Sequence, residues 1–510
     1  MSKTVGILDL AVDSPNRTWG EHLYSFYFRK QFVSITPQAI SVWCRRLGHL
    51  VHYACYRGQG DPARLLPDDL DALFVSSYTQ ASALAYALAK LYSKRGTLTV
   101  IGGPHARSFP SDCLRFFDLA VTDCDQALVA DILSGHTGRG AVVSSNRPLT
   151  EFPTVEERMP EIRTANFHRG RPILTSLVPL LASIGCPYSC NFCVDWNKSY
   201  VALPKEQLAA DLRYLSDHFP KLLVGYHDPN FAVRFDETMD IIETIPEGRR
   251  NPYIMESSLS ILKGSRLPRL TRTNCVYVAP GVESWSDYTN KVGAGDKRGA
   301  EKLEQVVTHF DVLSRHVPGL QANFLFGADV DRGREPIELT KSFIRRLPAV
   351  WPTINIPSPF GGTPLYEKLR ADGRILETLP FAFYYNPYLA ITLRHYDPVD
   401  YYDNLIELHE EITSSVMLAR RLITHAHPAV RFVHALRTLG TRRELATFRE
   451  IRAQLAGDRT FRAFHENRSK DLPEYYHRIY EQRLGHYADL MGRQDRIPRP
   501  EEVSVTADVA

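Results

Sequence analysis

The chain has 510 residues, too many for one hydrophobic core, so we expect two or three domains. Its net charge of +3, with hydrophobic and charged fractions of 44% and 23%, is that of a globular protein and argues against a basic chain built to bind nucleic acid. The N-terminus lacks the features of a signal peptide, and the most apolar stretch, 173–184, is too short to span a membrane. We therefore expect a cytoplasmic protein with no membrane span.

Strand-like and helix-like segments alternate over residues 1–147. The apolar runs VGILDLAV, HLVHYACY, LDALFVSSY, LTVIGGPH and FDLAVTD predict strands, and segments such as SALAYALAKLYSK predict the helices between them. This alternation predicts a Rossmann-like α/β domain with a mostly parallel sheet. Ligands of such sheets bind beyond the carboxyl ends of the strands, so we expect a ligand near the loops that follow them.

The rest of the chain divides into four parts. Residues 148–170 combine prolines with charged residues and predict a linker. Residues 171–370 contain about six strand–helix units, too few for a complete eight-unit barrel. Residues 371–492 predict a C-terminal helical domain, and residues 493–510 predict a polar, flexible tail.

Three of the eight cysteines lie within eight positions, in the stretch ASIGCPYSCNFCVDW. They are Cys186, Cys190 and Cys193, and a predicted strand precedes them. Thiolates bind iron–sulfur clusters, zinc or copper. A structural zinc site needs four ligands, and no second pair of cysteines or histidines at zinc spacing lies nearby. Three thiolates on a four-iron cluster would leave one iron with an open position, so the stretch predicts a reactive cluster.

The spacing C-x-x-x-C-x-x-C, with the aromatic Phe192 before the third cysteine, resembles the signature of the radical S-adenosylmethionine (SAM) superfamily. The resemblance implies a partial (β/α)6 TIM-type barrel over residues 171–370 and a 4Fe-4S cluster held by the three cysteines. It also implies that SAM binds the open iron and is cleaved reductively to a 5′-deoxyadenosyl radical. A reductant such as flavodoxin or ferredoxin would supply the electron. Three structural or metal-storage cysteines are the alternative.

The segment GYHDPNF extends this resemblance. It lies where the family carries a polar motif near the amino group of SAM, which implies that role for Asp228. The related subgroup usually has two acidic residues here, whereas this chain has His227 beside Asp228. His227 is therefore open to two interpretations, a ligand contact or an ordinary loop histidine with a satisfied hydrogen bond.

Two later segments also resemble the family's SAM site. PGVESWSDYTNKVGAG resembles the ribose motif, which implies that Glu283 and Ser284 hold the ribose and that Lys291 reaches the carboxylate of SAM. INIPSPFGGTPLYEKL resembles the end of the family's barrel, where the backbone around Pro357 would bracket the adenine. Phe192 completes this predicted set of SAM contacts.

The N-terminal sheet resembles the cobalamin-binding domain that precedes the barrel in one subgroup of the superfamily. The stretch VIGGPHARSFPSD carries most of this resemblance, and it implies a corrin next to four residues: Ser76, Ser77, Gly102 and Gly103. The cobalt-ligating motif D-x-H-x-x-G is missing, and TDCDQ stands where the subgroup has a glycine-rich turn. A scaffold that no longer holds cobalamin is therefore the alternative.

These resemblances imply an enzyme that methylates an unactivated carbon of a small molecule or peptide, with SAM, a 4Fe-4S cluster and cobalamin as cofactors. One alternative is a radical cyclisation, rearrangement or dehydrogenation, with or without cobalamin. Another is a non-catalytic iron–sulfur protein for electron transfer or sensing. No motif marks the substrate or the catalytic residues, and no basic surface predicts a nucleic-acid partner.

Overall fold

A computed structural model describes most of the chain. The described residues are 2–16, 18–27, 33–145, 149, 151–286, 288–289, 292–424, 427–499 and 501.

The first part of the chain forms one parallel sheet with helices on both faces. Its strands stand in the order β2-β1-β3-β4-β5-β6. The strands are β1 (Thr4–Leu10), β2 (Leu50–Tyr56), β3 (Ala72–Ser77), β4 (Leu98–Gly102), β5 (Leu119–Val121) and β6 (Ala141–Val143). The helices are α1 (Trp19–Tyr27), α2 (Ile35–Arg46), α3 (Ser82–Ser93), α4 (Pro104–Ser108), α5 (Pro110–Cys113) and α6 (Gln126–Ser134).

This sheet reverses its strand order between β1 and β3. Asp9 on β1 pairs in register with Ser76 on β3 and Cys55 on β2. Loops that leave such a reversal point diverge to opposite faces and open a crevice at the carboxyl edge. The expected Rossmann-like sheet is confirmed, and its ligand edge contains Asp9 as well as the predicted Ser76.

A helix lies in the predicted linker. It is α7 (Val155–Ala165), and its first turn is closed by a capping box between Thr154 and Glu157. Arg158 on α7 is buried and donates to the Gln38 side chain on α2 and to the Pro179 carbonyl of the next domain. The prediction missed α7 because Pro160 lies inside the helix and the segment is rich in charge. The segment is therefore a packed bridge between two sheets.

A second parallel sheet follows, with six strand positions in chain order. The strands are β7 (Leu177–Leu180), β10 (Leu223–Tyr226), β11 (Tyr253–Met255), β12 (Cys275–Val278) continued by β13 (Gly281–Glu283), β14 (Gly319–Leu325) and β15 (Val350–Asn355). A short antiparallel pair lies apart from this sheet and consists of β8 (Ser183–Ile184) and β9 (Val201–Ala202). The intervening helices are α8 (Lys205–His218), α9 (Phe235–Glu243), α10 (Leu267–Arg272), α11 (Gly299–Ser314) and α12 (Glu335–Arg346).

The two faces of β14 differ in character. Phe324 packs on Phe343 of α12, so alternate residues of β14 face the outer helices. Gln321 and Asn323 point to the opposite, inner face, and they pair in register with Trp351 and Thr353 of β15. The inner face of the second sheet is thus polar and aromatic.

Helices dominate the remainder of the chain, as expected. They are α13 (Pro364–Ala371), α14 (Pro398–Thr413), α15 (Ser415–Thr424), α16 (Pro428–Gly457), α17 (Arg459–His465), α18 (Glu474–Leu484) and α19 (Arg493–Arg496). Helix α16 lies over the inner face of the second sheet, because its His434 and Arg437 both contact the Trp351 ring.

The described part of the expected flexible tail, residues 493–499 and 501, packs against the first domain. Residues 500 and 502–510 lie outside the described residues. The Arg115 guanidinium donates to the carbonyls of Gln494 and Ile497 at 2.9 and 2.8 Å. The Glu501 carboxylate is buried and accepts from Ser111. Polar composition suggested disorder, but these polar groups are satisfied by partners far away in sequence. No helix among the described residues is long and apolar enough to cross a membrane.

Candidate active site

The cysteine stretch forms a closed loop next to the carboxyl end of β7. Strands β8 and β9 pair at its base, and the Cys186 amide donates to the Lys198 carbonyl at 3.0 Å. Gly185 has a φ of +68°, and a Cβ there would collide with the Ser199 carbonyl. Only glycine fits this turn, so the loop conformation is built into the sequence around the first cysteine.

The three thiols suit an iron–sulfur cluster by donor type and burial. Cys186 and Cys190 are each 8% exposed and Cys193 is half-buried. Among the described residues, no three Cys, His, Asp or Glu side chains converge on a single metal position. Thiolates of a four-iron cluster bind different irons and need not converge on one point. Thiolates are the usual ligands of iron–sulfur clusters, so the donor set fits such a cluster.

The far side of the loop is fastened to the end of the second sheet. The Trp196 indole donates to the Gly362 carbonyl at 2.6 Å, and the Leu365 amide donates to the Asn191 carbonyl at 2.9 Å. The Phe192 ring stacks on the Tyr288 ring with centroids 5.6 Å apart. Burial and the nearby carboxylates of Asp331 and Glu283 raise the pKa of Tyr288. Phe192 is thus brought to the region of the predicted ribose motif.

Ion pairs join the same loop to the first domain. Arg107 on α4 pairs with Asp195 of the loop at 2.6 Å. Lys198 of the loop pairs with Asp123, which follows β5. Both partners in the first domain lie just after strand ends, so the carboxyl edges of the two sheets meet across the cysteine loop.

Asp228 lies beneath the cysteine loop. Its buried carboxylate accepts from the Ala182 amide and the Ser183 hydroxyl, and burial raises its pKa to about 6. These contacts order the chain immediately before the cysteines. Burial and the positive charge of Arg158 on α7 lower the pKa of the neighbouring His227 to about 4. The imidazole is therefore neutral near pH 7.

Glu283 and Ser284 lie together at the end of β13. Glu283 has a φ of +63°, unusual for a non-glycine residue, and its carboxylate folds back over Gly281. The Ser284 hydroxyl donates to Asp331 at 3.0 Å, and Lys302 donates to the Ser284 carbonyl at 2.6 Å. Ser284 is thus held within a local network, and the neighbouring Glu283 is half-buried. Lys291 lies outside the described residues.

Pro357 is buried just beyond β15. The Asn386 side chain hydrogen-bonds the Ile354 carbonyl at 2.7 Å and the Ile356 amide at 2.9 Å. It thereby occupies the backbone groups on one side of this strand end.

The predicted corrin contacts lie together at the edge of the first sheet. Gly103 has a φ of +91°, and a Cβ there would lie 3.0 Å from the Ser77 carbonyl and 3.2 Å from the Ser76 hydroxyl oxygen. The turn after β4 therefore packs directly on the end of β3 because residue 103 is glycine. Gly102 has no such close contact, since its nearest neighbour would be the Val121 carbonyl at 3.8 Å.

No family model matches this chain. The chain is 24% identical over 321 residues to the bacteriochlorophyllide d C-12(1)-methyltransferase of Chlorobaculum tepidum, covering 60% of this chain and 68% of that protein. It is 23% identical over 365 residues to the C-8(2)-methyltransferase of the same organism, covering 68% and 78%. Its fold is similar to that of the radical SAM methyltransferase TsrM of Kitasatospora setae, which was solved with cobalamin and a 4Fe-4S cluster. The TM-score is 0.51 and the sequence identity is 13%, and the match covers 73% of this chain and 78% of that one.

The fold shared with TsrM confirms the expected order of an N-terminal α/β sheet, a second parallel sheet beside the cysteine loop, and a helical C-terminal region. The resemblance to radical SAM proteins that the cysteines predict agrees with the name of this fold neighbour, a radical SAM methyltransferase. The expectation of an enzyme is likewise confirmed, because the related proteins are methyltransferases.

Sequence reasoning did not single out one residue at the edge of the first sheet. Asp9 is fully buried, and burial raises its pKa to about 7. One carboxylate oxygen accepts from the Ser34 amide at 2.9 Å, and the other, Oδ1, has no hydrogen-bond partner among the described residues. A buried polar atom without a partner is costly unless a ligand or water satisfies it. The position of Asp9 at the end of β1 was the available signal.

A second group of missed residues lies on the inner face of the second sheet. Arg437 of α16 donates to the Tyr277 hydroxyl and lies 4.7 Å from the centre of the Trp351 ring. Arg421 of α15 lies 4.6 Å from the same ring centre. Burial and the charge of Arg437 lower the pKa of Arg421 to about 10. Helical periodicity gave no sign that these two arginines face inward.

Proposed function

We propose that this protein is a cobalamin-dependent radical SAM methyltransferase that methylates an unactivated carbon of a small molecule. The observation that carries the proposal is the pair of ionic contacts Arg107–Asp195 and Lys198–Asp123. They hold the cysteine loop against the ligand edge of the first sheet. A group bound at that edge would then lie next to a cluster bound by the loop.

Cys186, Cys190 and Cys193 are the proposed cluster ligands. The bound cluster would supply the electron that cleaves SAM to the 5′-deoxyadenosyl radical. The chain contributes a loop closed by β8 and β9 and thiols that are mostly shielded from water. Shielding keeps water from a reactive site and strengthens the electrostatic interactions inside it. A flavodoxin or ferredoxin is the proposed reductant.

We assign different roles to the predicted SAM residues. Glu283 is the proposed ribose contact, because its half-buried carboxylate can accept from two hydroxyls. Ser284 and Asp228 position the site, since their side chains are engaged by Asp331 and by the Ala182–Ser183 backbone and hydroxyl. Phe192 and the backbone near Pro357 flank the adenine, and Lys291 is the proposed partner of the SAM carboxylate.

The first sheet fits cobalamin at three points. The close turn at Gly103 brings backbone to the end of β3 beside Ser76 and Ser77, and a Cβ at Gly102 would make only an ordinary contact with the Val121 carbonyl at 3.8 Å. Asp9 Oδ1 can receive a hydrogen bond from a ligand in the crevice. Bound cobalamin would supply the methyl group that is transferred.

The inner face of the second sheet is the proposed substrate surface. It offers the aromatic ring of Trp351, the Tyr277 hydroxyl and the guanidinium of Arg437. Such a mixture suits a small molecule with an apolar body and a polar or anionic group. The related proteins named above methylate a bacteriochlorophyllide, which is also a small molecule.

Product analysis without added substrate tests this function. Anaerobic, cluster-reconstituted protein would be incubated with SAM and dithionite, in parallel with and without cobalamin. We expect 5′-deoxyadenosine in both mixtures and S-adenosylhomocysteine only with cobalamin. Deoxyadenosine alone in both mixtures would favour a radical reaction without methyl transfer. Neither product, with iron bound, would favour an electron-transfer or sensor protein.

A further inference from the structure

A 32-residue stretch of the C-terminal region has an unusual charge composition. Residues 412–443 contain six arginines and no aspartate or glutamate, although the whole chain is nearly balanced with 61 basic and 58 acidic residues. The stretch covers α15 and the first half of α16. Positive charge is therefore concentrated on one pair of helices.

The same two helices expose large apolar side chains. Val416 and Ile423 on α15 are 71% and 80% exposed, and Phe432 and Leu439 on α16 are 49% and 55% exposed. Each pair is separated by seven residues, so both members lie on one side of their helix. The outward sides of α15 and α16 thus carry the apolar residues that helices usually turn inward.

Four of the six arginines accompany these apolar residues at the surface. The exposed arginines are Arg420, Arg431, Arg442 and Arg443, whereas Arg421 is buried beneath them. Arginine can lay its apolar stem along such a surface and keep its charge in the polar layer above it. Exposed apolar residues beside arginines, with no acidic residue in the stretch, match the composition of helices that lie in a membrane interface.

Helix α1 adds a tryptophan to the same surface. The Arg443 guanidinium lies against Gly20, and Trp19 beside it is 78% exposed. Tryptophan favours the boundary between lipid headgroups and hydrocarbon because its ring is amphipathic. We call the set Trp19, Val416, Ile423, Phe432 and Leu439, with the four exposed arginines, the α15–α16 surface.

We propose that the α15–α16 surface binds anionic lipid membranes. A second copy of the chain is a poor occupant, because a symmetric contact would bring identical positive charges together. Nucleic acid would use the arginines but leave the exposed apolar side chains in water. An anionic bilayer would contact both the arginines and the apolar side chains, since it offers negative headgroups above hydrocarbon.

This placement also has a consequence for substrate delivery, which rests on the proposed function. One side of α16 forms the α15–α16 surface, while its Arg437 reaches the inner face of the second sheet. A lipophilic substrate in the membrane would therefore be separated from the proposed substrate surface by a single helix layer.

Vesicle sedimentation of the full chain tests the proposal without relying on activity. Vesicles of phosphatidylcholine alone would be compared with vesicles that also contain phosphatidylglycerol, at low and high salt. We expect binding to the anionic vesicles only, weakened at high salt because screening reduces surface electrostatics. Absence of binding at low salt, or equal binding to both vesicle types, would overturn the proposal.

Two variants locate the contact. Ile423→Gln combined with Phe432→Gln removes apolar contacts, and Arg420→Gln combined with Arg442→Gln removes charge. Each pair should weaken vesicle binding about tenfold or more. Leu174→Gln is the matched control, because Leu174 is 90% exposed but lies outside this surface. Unchanged vesicle binding in both pairs, or a protein dimer that both pairs abolish without vesicles, would overturn the assignment.

Discussion

The carboxyl edges of the two sheets meet at the cysteine loop, but they differ in how fully their described polar groups are paired within the protein. At the second sheet, the cysteine loop is closed by β8 and β9, and its charged side chains Asp195 and Lys198 have partners. At the first sheet, Asp9 is buried, and its Oδ1 has no hydrogen-bond partner among the described residues. The comparison teaches that contacts within the protein close the cysteine loop, whereas the edge of the first sheet contains a buried carboxyl oxygen that a bound ligand could satisfy.

Loss of a cysteine thiol should have the largest effect, because it should abolish the function of one sheet edge and leave that of the other unchanged. Replacing Cys190 with alanine removes one cluster ligand, so we expect iron content to fall and SAM cleavage to reach background. Cobalamin binding at the other edge should persist. Cys275→Ala is the matched control, because Cys275 is buried on β12 outside the loop and should retain both properties. Normal iron and cleavage in the Cys190 variant would refute the ligand assignment.

Gly103→Ala should weaken cobalamin binding at the edge of the first sheet. Alanine at a φ of +91° costs about 1–2 kcal/mol in backbone strain, and its Cβ would also press on Ser77. We expect corrin affinity, measured by titration, to fall about tenfold or more. Gly135→Ala provides the control, since Gly135 has a φ of +82° with open space around it. Equal corrin affinity in the two variants would contradict a role for the Gly103 turn.

Removing the ion pair that joins the cysteine loop to the first domain should have an intermediate effect on product formation. Arg107→Gln breaks the Arg107–Asp195 pair, so S-adenosylhomocysteine formation should fall about fivefold while 5′-deoxyadenosine formation changes little, in line with a pair worth about 1 kcal/mol. Arg139→Gln removes an exposed pair with Asp118 within the first domain and should change neither product. A parallel fall of both products in the Arg107 variant would mean that the pair supports the cluster loop alone.

The buried carboxyl at the first edge predicts a smaller, pH-dependent effect on stability. The folded pKa of Asp9 is raised from 3.8 to about 7, so the folded state binds this proton more tightly than the unfolded chain. Stability from this group is full below about pH 4 and is lost as pH rises toward 7, with a ceiling of about 4 kcal/mol. Asp9→Asn should therefore flatten the fall in thermal midpoint between acidic and neutral pH. Parallel profiles for the variant and the parent chain would contradict this account of Asp9.

The sequence predicts a cluster site where the chemistry demands particular residues at a fixed spacing. Cys186, Cys190 and Cys193 could be recognised because three thiolates at that spacing have few structural uses, and the strands could be recognised by apolar alternation. Helix α7 was missed because Pro160 lies inside it and a proline usually argues against a helix. The helix is stabilised by buried contacts such as the hydrogen bond from Arg158 to Gln38.

Residues that act through distant neighbours could not be found in the same way. Arg437 donates to Tyr277, which lies 160 positions away in the sequence. Asp9 stands out because its buried Oδ1 has no hydrogen-bond partner among the described residues, and no sequence pattern predicts this. The same limit applies to the hydrogen bond that the Ser284 hydroxyl donates to Asp331, 47 positions away, which the ribose-like motif did not predict.

The amount of corrin bound per chain tests the central claim most directly. Protein produced anaerobically with cobalamin, and with its cluster reconstituted, would be denatured, and its corrin and iron would be measured in the same sample. Joint use of both edges predicts about one corrin and about four irons per chain. A full complement of iron with no corrin would contradict it and reduce the first sheet to a scaffold.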